Sequence, residues 1–251
     1  PNSHRCIIVA QKPEGKFFLN ELPKDAQSLH QSIYNGKVYK LPPCKVSNAL
    51  INHLTEKIKC IFGSETRTLQ NLGAHEDSLR QLDPLKSDIK NDKEYHIIMR
   101  ALLMEMGMTP SEYAIDYPRL RVNIPSGHTN DGAKVAYSAH RDTWYCNPQS
   151  QINFWIPLYD CTEKQSFAFY PDYFNKPVKN NSADFDYNSW ISGGFPEAKK
   201  NLSNPISFSA KAGEIILFSA AHLHMGLPHD EKTVRYSLDF RIVHIKDFEN
   251  N

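Results

Sequence analysis

Apolar residues recur at helical spacing through the first part of the chain and at strand spacing through the second. Val46, Leu50, Ile51, Leu54, Ile58 and Ile61 fall on one face of a helix predicted to run to about Phe62, the 3.6-residue period of a helix lying on a core. Ser47 and Asn48 are placed to cap its start and Gly63 its end. A more polar helix is predicted from Ser64 to about Arg80. A stronger one is predicted over 87–107, with Ile97, Ile98, Ala101, Leu102 and Met106 as its buried stripe and Gly107 as its stop. Upstream, residues 6–10 read as a short buried strand and residues 40–43 as a loop.

After residue 110 the pattern changes to short strands separated by Pro, Gly and Asn. Strands are predicted over 119–124, 134–142, 151–158, 166–170, 206–210, 214–218, 221–225 and 233–245. Short strands in this number behind a helical segment predict a mainly β fold with supporting α. Its core would be a double-stranded β-helix, of jelly-roll or cupin type, with the N-terminal helices packed on one sheet. The reading is of one domain over 1–251: a largely helical part over 1–110, then a jelly-roll core over 111–251 with an insert at about 172–205. That insert is rich in Asn, Ser, Gly and Asp and carries Phe174, Phe185, Tyr187, Trp190 and Phe195. Long inserts of this kind are commonly functional lids.

Composition narrows the function. The 251 residues carry a formal net charge of +1, which speaks against a nucleic-acid-binding module with a basic stripe. A hydrophobic content of 40% is enough for a real core. No apolar run reaches the roughly 18 residues of a membrane-spanning helix, and the start of the sequence has no basic-then-apolar pattern like a signal peptide. Five scattered cysteines (Cys6, Cys44, Cys60, Cys146, Cys161), none in a C-x-x-C, form neither a disulfide framework nor a zinc ribbon and suit a reducing, cytoplasmic setting. Eleven histidines are a generous supply, and the question is whether any are arranged.

Two H-x-D triplets occur, His75-Glu76-Asp77 and His140-Arg141-Asp142. Residues at i and i+2 diverge on a helix but share a face on a strand. His75 sits in a helical or loop context and reads as a solvated surface pair. His140 ends the predicted extended run 135–140, so its imidazole and the Asp142 carboxylate can point at one metal ion. A facial triad needs a third ligand from elsewhere, usually histidine. Residues 213–226 offer His222 and His224 after a Gly-acid-apolar strand, and Arg235-Tyr236-Ser237 follows. The two histidines are themselves i and i+2 and could share a face, so both stand open here as the third ligand, with His222 as a neighbouring core residue if His224 is the one. His229, in the turn-like Pro228-His229-Asp230-Glu231, reads as solvated.

His140, Asp142, His224, Arg235 and Ser237, in that order, resemble the pattern of the iron(II)/2-oxoglutarate-dependent dioxygenases, closest to the phytanoyl-CoA dioxygenase-like group. The resemblance covers roughly residues 119–245. It implies that His140, Asp142 and His224 hold Fe(II). It implies further that 2-oxoglutarate chelates the metal while its far carboxylate meets Arg235 and Ser237, and that dioxygen takes the last position. Related halogenases lack the carboxylate ligand, so Asp142 favours hydroxylation, desaturation or ring closure. Gln151 and Asn153 are candidates for contact with 2-oxoglutarate. Arg121, Tyr137, Trp144, Trp155, Tyr187, Trp190 and Arg241 are candidates for contact with a small polar metabolite. No nucleic-acid or membrane partner is expected, and the oligomeric state is not readable. A cupin-like metal enzyme without 2-oxoglutarate, or a non-catalytic jelly-roll binding module, is the alternative; neither assigns work to Arg235 and Ser237.

Strand alternation gives an independent check. On the last strand Arg235, Ser237, Asp239 and Arg241 share one face and Val234, Tyr236, Leu238 and Phe240 the other. Gln151, Asn153 and Trp155 alternate likewise with Ile152, Phe154 and Ile156, and Arg119, Arg121 and Asn123 with Leu120, Val122 and Ile124. If the H-x-D pair and Arg235 face a cavity, these polar faces point inward, because a buried carboxylate ligand needs paired donors.

Overall fold

The two textures of the sequence serve the two faces of one sheet. The computed structural model describes residues 16–64, 66–68, 79–129, 134–184, 186, 196–199 and 201–249. Its strands are β1 (Phe18–Leu19), β2 (Val38–Leu41), β3 (Tyr113–Ile115), β4 (Arg119–Asn123), β5 (Gln151–Pro157), β6 (Phe167–Phe169), β7 (Ile215–Ser219), β8 (His224–Gly226) and β9 (Arg235–His244). Its helices are α1 (Ala26–Tyr34), α2 (Lys45–Phe62), α3 (Asp83–Asn91), α4 (Lys93–Glu105), α5 (Lys134–Tyr137) and α6 (Ile245–Glu249).

The larger sheet runs β1-β2-β7-β5-β9-β3, with β4 also paired to β9. All its pairs are antiparallel except β1 with β2. The smaller sheet is β6 with β8, extended by isolated bridges from His140 to His224 and from Phe169 to Ile206. The fold is therefore a mixed, sheet-rich one with a few helices. No helix among the described residues is long and apolar enough to cross a membrane.

Alternation decides which face meets the helices. Ile152, Phe154 and Ile156 of β5 and Tyr236, Leu238, Phe240 and Ile242 of β9 are buried in one cluster with Leu29 and Ile33 of α1, Leu50 and Leu54 of α2, Ile89 of α3 and Met99 and Leu102 of α4. Phe154 and Phe240 face each other across the ladder and stack at 4.4 Å. Burying one such side chain stabilises by about 1.5–3 kcal/mol, so the helix layer holds this face of the sheet. The opposite face carries Trp155, Ile216 and Phe218, which pack on Phe167, Phe169 and Phe208 from the second layer. The polar row of β5 and β9 lies on that same inner face.

Several local expectations are corrected. The cap of α2 is Cys44, not Ser47 or Asn48; Ser47 instead returns the bond in a reciprocal capping box, and Gly63 ends the helix at φ 80°. The 87–107 segment breaks at Asp92, whose side chain accepts from the Glu94 N–H and caps α4. The buried stripe of α4 is Tyr95, Met99, Leu102 and Leu103, and Ile97 is 65% exposed. Lys40 and Leu41, in the loop predicted over 40–43, instead end a strand that begins at Val38 and pairs with the edge of β7. The 206–210 strand is reduced to isolated bridges at Ile206 and Ala210. The predicted strand over 134–142 is a helical turn, α5, then a bend; only His140 pairs, and Asp142 opens a 3-10 turn over Asp142–Tyr145. Lysine and alanine in this segment favour a helix over a strand. The 6–10 strand, and most of the helix expected from Ser64 to Arg80 with His75 and Asp77, lie outside the described residues.

Helix α5 lies directly on β8. A Cβ at Gly226 would meet the Ala136 carbonyl oxygen at 2.5 Å, and backbone cannot yield as a side chain can. Gly226→Ala is expected to lower stability by about 1–3 kcal/mol, the usual range for an overpacked contact, seen as a lower midpoint in thermal unfolding.

Candidate metal centre

His140 and His224 are set side by side by the backbone. Each donates its N–H to the other's carbonyl at 3.0 Å, so the two imidazoles leave the same stretch of the small sheet with ring centres 4.6 Å apart. Nδ1 of His140 lies 2.7 Å from the Ser138 carbonyl and Nδ1 of His224 lies 2.9 Å from the His222 carbonyl. A carbonyl only accepts, so both rings carry a proton on Nδ1 and turn Nε2 toward the other ligand atoms, as metal-ligating histidines do. Burial, then the neighbouring His224, pushes the His140 pKa down to about 4, which keeps it neutral and available as a ligand.

Asp142 completes the group. Its Oδ1 is 3.7 Å from His140 Nε2, and His140, Asp142 and His224 each place a ligand atom within 4.8 Å of the others. The other oxygen is held from β5: Asn153 donates Nδ2 to Asp142 Oδ2 at 2.6 Å, and Gln151 donates to Asn153 at 2.8 Å and more weakly to the same carboxylate oxygen at 3.5 Å. Asp142 is only 6% exposed. Burial pushes its pKa up, but Arg241, His224 and His140 outweigh burial and hold the carboxyl below its ordinary value. Two imidazoles and one carboxylate, braced by outer partners, form the donor set that suits a divalent iron with open positions.

Gln151 and Asn153 thus sit on the candidate ligand Asp142. Asn153→Ala is expected to weaken divalent-metal binding by about 10–100-fold, the usual effect of removing a partner that orients a ligand, measured by Mn(II) titration with the far-ultraviolet spectrum unchanged.

Further along the inner face, Arg235 is buried to 8% exposure and Ser237 completely. Arg235 donates Nε to the Gln165 carbonyl at 3.1 Å and Nη1 to Ser237 Oγ at 2.6 Å, and its guanidinium lies 5.7 Å from the Trp155 ring centre. The side chain therefore leans along β9 toward Asp239 and Arg241, the end where Asp142 lies. Among the described residues no carboxylate reaches ion-pair distance of it. Burial draws its pKa down, so a cation is held in a low-dielectric site with its charge uncompensated, a costly arrangement that a ligand carboxylate relieves.

The remaining candidates separate. Arg121 is committed to Asp239, at 2.8 and 3.4 Å. Tyr137 donates its hydroxyl to Asn123 Oδ1. Trp144 packs with Tyr170, Val178 and Leu223, and the Arg141 guanidinium lies 5.9 Å from its ring centre. Arg241 Nη2 lies 4.0 Å from Asp142 Oδ1. Tyr187 and Trp190 lie outside the described residues. The described ends of the 172–205 insert are tied to the metal-facing loop: Ala198 donates its N–H to the Ala139 carbonyl at 2.8 Å, and Arg141 donates to the carbonyls of Tyr173 and Lys176.

His222 is fully buried and packed 4.5 Å from the Phe174 ring centre. It is a core residue beside the centre and not part of it. His229, expected in solvent, is 3% exposed. The aromatic wall around His224, made by Phe218 at 5.2 Å, Phe167 at 6.0 Å and Phe169 at 6.4 Å, escaped the sequence reading. Its signal was present in Phe167-Ala168-Phe169, where alternation puts both rings on one face. A cleft of about 620 Å³ opens elsewhere, lined by Tyr34, Arg141, Gln149, Lys176 and Asp247 among others and by none of the triad; donor chemistry, not concavity, singles out the centre.

No family model matches the chain, and no curated protein matches it in sequence. Among solved structures it is similar to EvdO2 from Micromonospora carbonacea var. aurantiaca, with a TM-score of 0.52 at 12% identity over 90% of this chain and 94% of that one. EvdO2 complexed with 2-oxoglutarate aligns with a TM-score of 0.49 at 14% identity over 89% and 93%. SnoK, a non-haem alpha-ketoglutarate-dependent carbocyclase from nogalamycin biosynthesis, aligns with a TM-score of 0.49 at 12% identity over 88% and 84%. The likeness to EvdO2 is one of fold.

Proposed function

We propose that the chain is a non-haem iron(II)/2-oxoglutarate-dependent oxygenase of the phytanoyl-CoA dioxygenase-like group, built on a double-stranded β-helix and acting on a small polar metabolite. The observation that carries this is the convergence of His140, Asp142 and His224 on the inner face that also holds the uncompensated guanidinium of Arg235. The strand order β4-β9-β5-β7 facing His140, β8, β6 and Ile206 supports the β-helix. The shared fold with EvdO2, which has been solved complexed with 2-oxoglutarate, agrees with the reading.

His140, Asp142 and His224 would hold the metal, which supplies dioxygen activation coupled to decarboxylation of 2-oxoglutarate to succinate. The chain does the rest. Carbonyls of Ser138 and His222 fix both imidazole tautomers, and Asn153 fixes the carboxylate. Arg235 and Ser237 would receive the far carboxylate of 2-oxoglutarate in a forked, charge-assisted pair. Phe167, Phe169 and Phe218 exclude water around His224, which strengthens every polar contact there. The insert at 172–205, with Tyr187 and Trp190, would close over the substrate as a lid. Retention of the carboxylate ligand favours hydroxylation, desaturation or ring closure as the outcome.

A cupin-like enzyme without 2-oxoglutarate leaves the buried Arg235 cation without a counter-charge, and so is disfavoured. The test is a metabolite screen for succinate release from the Fe(II)-loaded protein. Release that depends on both 2-oxoglutarate and one metabolite class is expected. Oxidation of a substrate without 2-oxoglutarate consumption would point to the cupin-like reading.

A further inference from the structure

Four polar or charged residues of β9 share the inner face, and three of them have assigned partners. Arg235 holds Ser237 and the Gln165 carbonyl, and Asp239 is taken by Arg121 in a two-point pair. Among the described residues Arg241 is left over. Its Nη2 stands 4.0 Å from Asp142 Oδ1, at the limit of an ion pair, and its side chain is 23% exposed. Its ladder partner Asn153 has already claimed Asp142 Oδ2. The oxygen that Arg241 faces is the one that also faces His140 Nε2, so a metal ion held by the triad would draw Oδ1 away from the arginine. That would leave the Arg241 guanidinium near the triad with no other partner among the described residues.

Charge balance points the same way. A divalent metal, the Asp142 carboxylate, doubly charged 2-oxoglutarate and the Arg235 guanidinium together sum to zero. The Arg121–Asp239 pair adds nothing. Arg241 then leaves one positive charge on the inner face, next to where the reacting bond of a substrate must sit, and partly shielded from water. Uncompensated charge in such a place costs stability unless a ligand supplies its opposite.

We propose that Arg241 anchors the prime substrate through an anionic group, a carboxylate or a phosphate, and thereby selects anionic metabolites over neutral ones. This rests on the oxygenase reading above. The planar, two-point donor geometry suits either group, and the position of Arg241 beside Asp142 would hold that group close to the bond that reacts.

Calorimetry on the Mn(II)–2-oxoglutarate complex tests it without turnover. Acetate, inorganic phosphate and the neutral acetamide are the probes. The parent is expected to bind one of the two anions at least about tenfold more tightly than acetamide, as loss of a charge-assisted bond predicts, and which anion it is separates carboxylate from phosphate substrates. Arg241→Gln should remove that preference while binding Mn(II) no more weakly than the parent, and Arg241→Lys should restore part of it. Equal binding of anions and acetamide by the parent overturns the proposal, as does a preference unchanged in Arg241→Gln. So does weaker Mn(II) or 2-oxoglutarate binding in Arg241→Gln with the anion preference intact, which would make the residue a support for Asp142 or a second arm for the co-substrate. If the parent forms no Mn(II)–2-oxoglutarate complex, the oxygenase reading itself fails; if it forms the complex and ignores charge, only the anchoring role fails.

Discussion

Asp142→Asn is expected to lower affinity for divalent metal by more than the roughly 10–100-fold that loss of a supporting partner costs, and to end 2-oxoglutarate-dependent turnover. The substitution keeps the shape of the side chain and lets its amide oxygen still accept from Asn153, now held at 2.6 Å, so the fold has no reason to change. What disappears is the charge. Asp142 is the one anion in the triad, and its ionised form is favoured by Arg241, His224 and His140 against the opposing effect of burial. Without it, two imidazoles face a metal ion with the Arg241 cation close by and nothing to offset it. The ligand-free protein should be less stable than the parent at neutral pH, because a carboxyl that the fold holds below its ordinary pKa stabilises the fold in its ionised form, and Arg241 loses its counter-charge. Equilibrium Mn(II) titration and thermal unfolding of the same preparation check both halves of the expectation.

Arg235→Met carries the second large effect, and its sign differs between the free and loaded protein. The free chain buries a guanidinium with a hydroxyl and a carbonyl as its bonding partners and no carboxylate in range. Replacing such a group by an apolar side chain of similar volume is often neutral, or stabilising by about 1–4 kcal/mol. The midpoint of thermal unfolding should stay level or rise by about 2–4 °C per kcal/mol for a chain of this size. Affinity for 2-oxoglutarate should fall instead by roughly 3–5 kcal/mol, the cost of leaving one partner of a buried ion pair alone, which is more than a hundredfold. Mn(II) binding in the absence of 2-oxoglutarate should be little changed, since Arg235 touches none of the triad. Arg235→Lys should recover only part of the co-substrate affinity, because a point charge does not reproduce the two-point fork. A stabilised protein that has lost its co-substrate is the mark of a residue kept for binding.

The parts of the structure legible in the sequence were those set by side-chain period. The inward and outward faces of β5 and β9 follow directly from alternation, and Arg235, Ser237, Asp239 and Arg241 do share the inner face. Helix α2 was legible because its apolar stripe is long and Gly63 ends it at a positive φ. The H-x-D pair was found on a reason that holds only in part. The extended run proposed for 134–142 is a helical turn followed by a single bridge, and Asp142 converges with His140 because the 3-10 turn after Arg141 brings it round, not because a strand aligns them. Two residues are too short a stretch for periodicity to report. Ile97 faces outward and Tyr95 inward because the Asp92 cap restarts the helix and resets its phase, a local hydrogen bond that hydrophobic spacing does not register. His229 was beyond reach for a different reason: burial of a histidine depends on what lies opposite it. The core reading of His222 holds, and Phe174, packed 4.5 Å from it, comes from a segment more than forty residues away.

The central claim is that the triad and Arg235 serve one metal–oxo-acid complex. Anaerobic titration of the protein with Fe(II) and then 2-oxoglutarate tests this most directly, followed by visible absorption. A saturable charge-transfer band is predicted in the parent, absent in Asp142→Asn and shifted to much higher 2-oxoglutarate concentration in Arg235→Met. No band in the parent under saturating Fe(II), or an undiminished band in Asp142→Asn, would contradict the account.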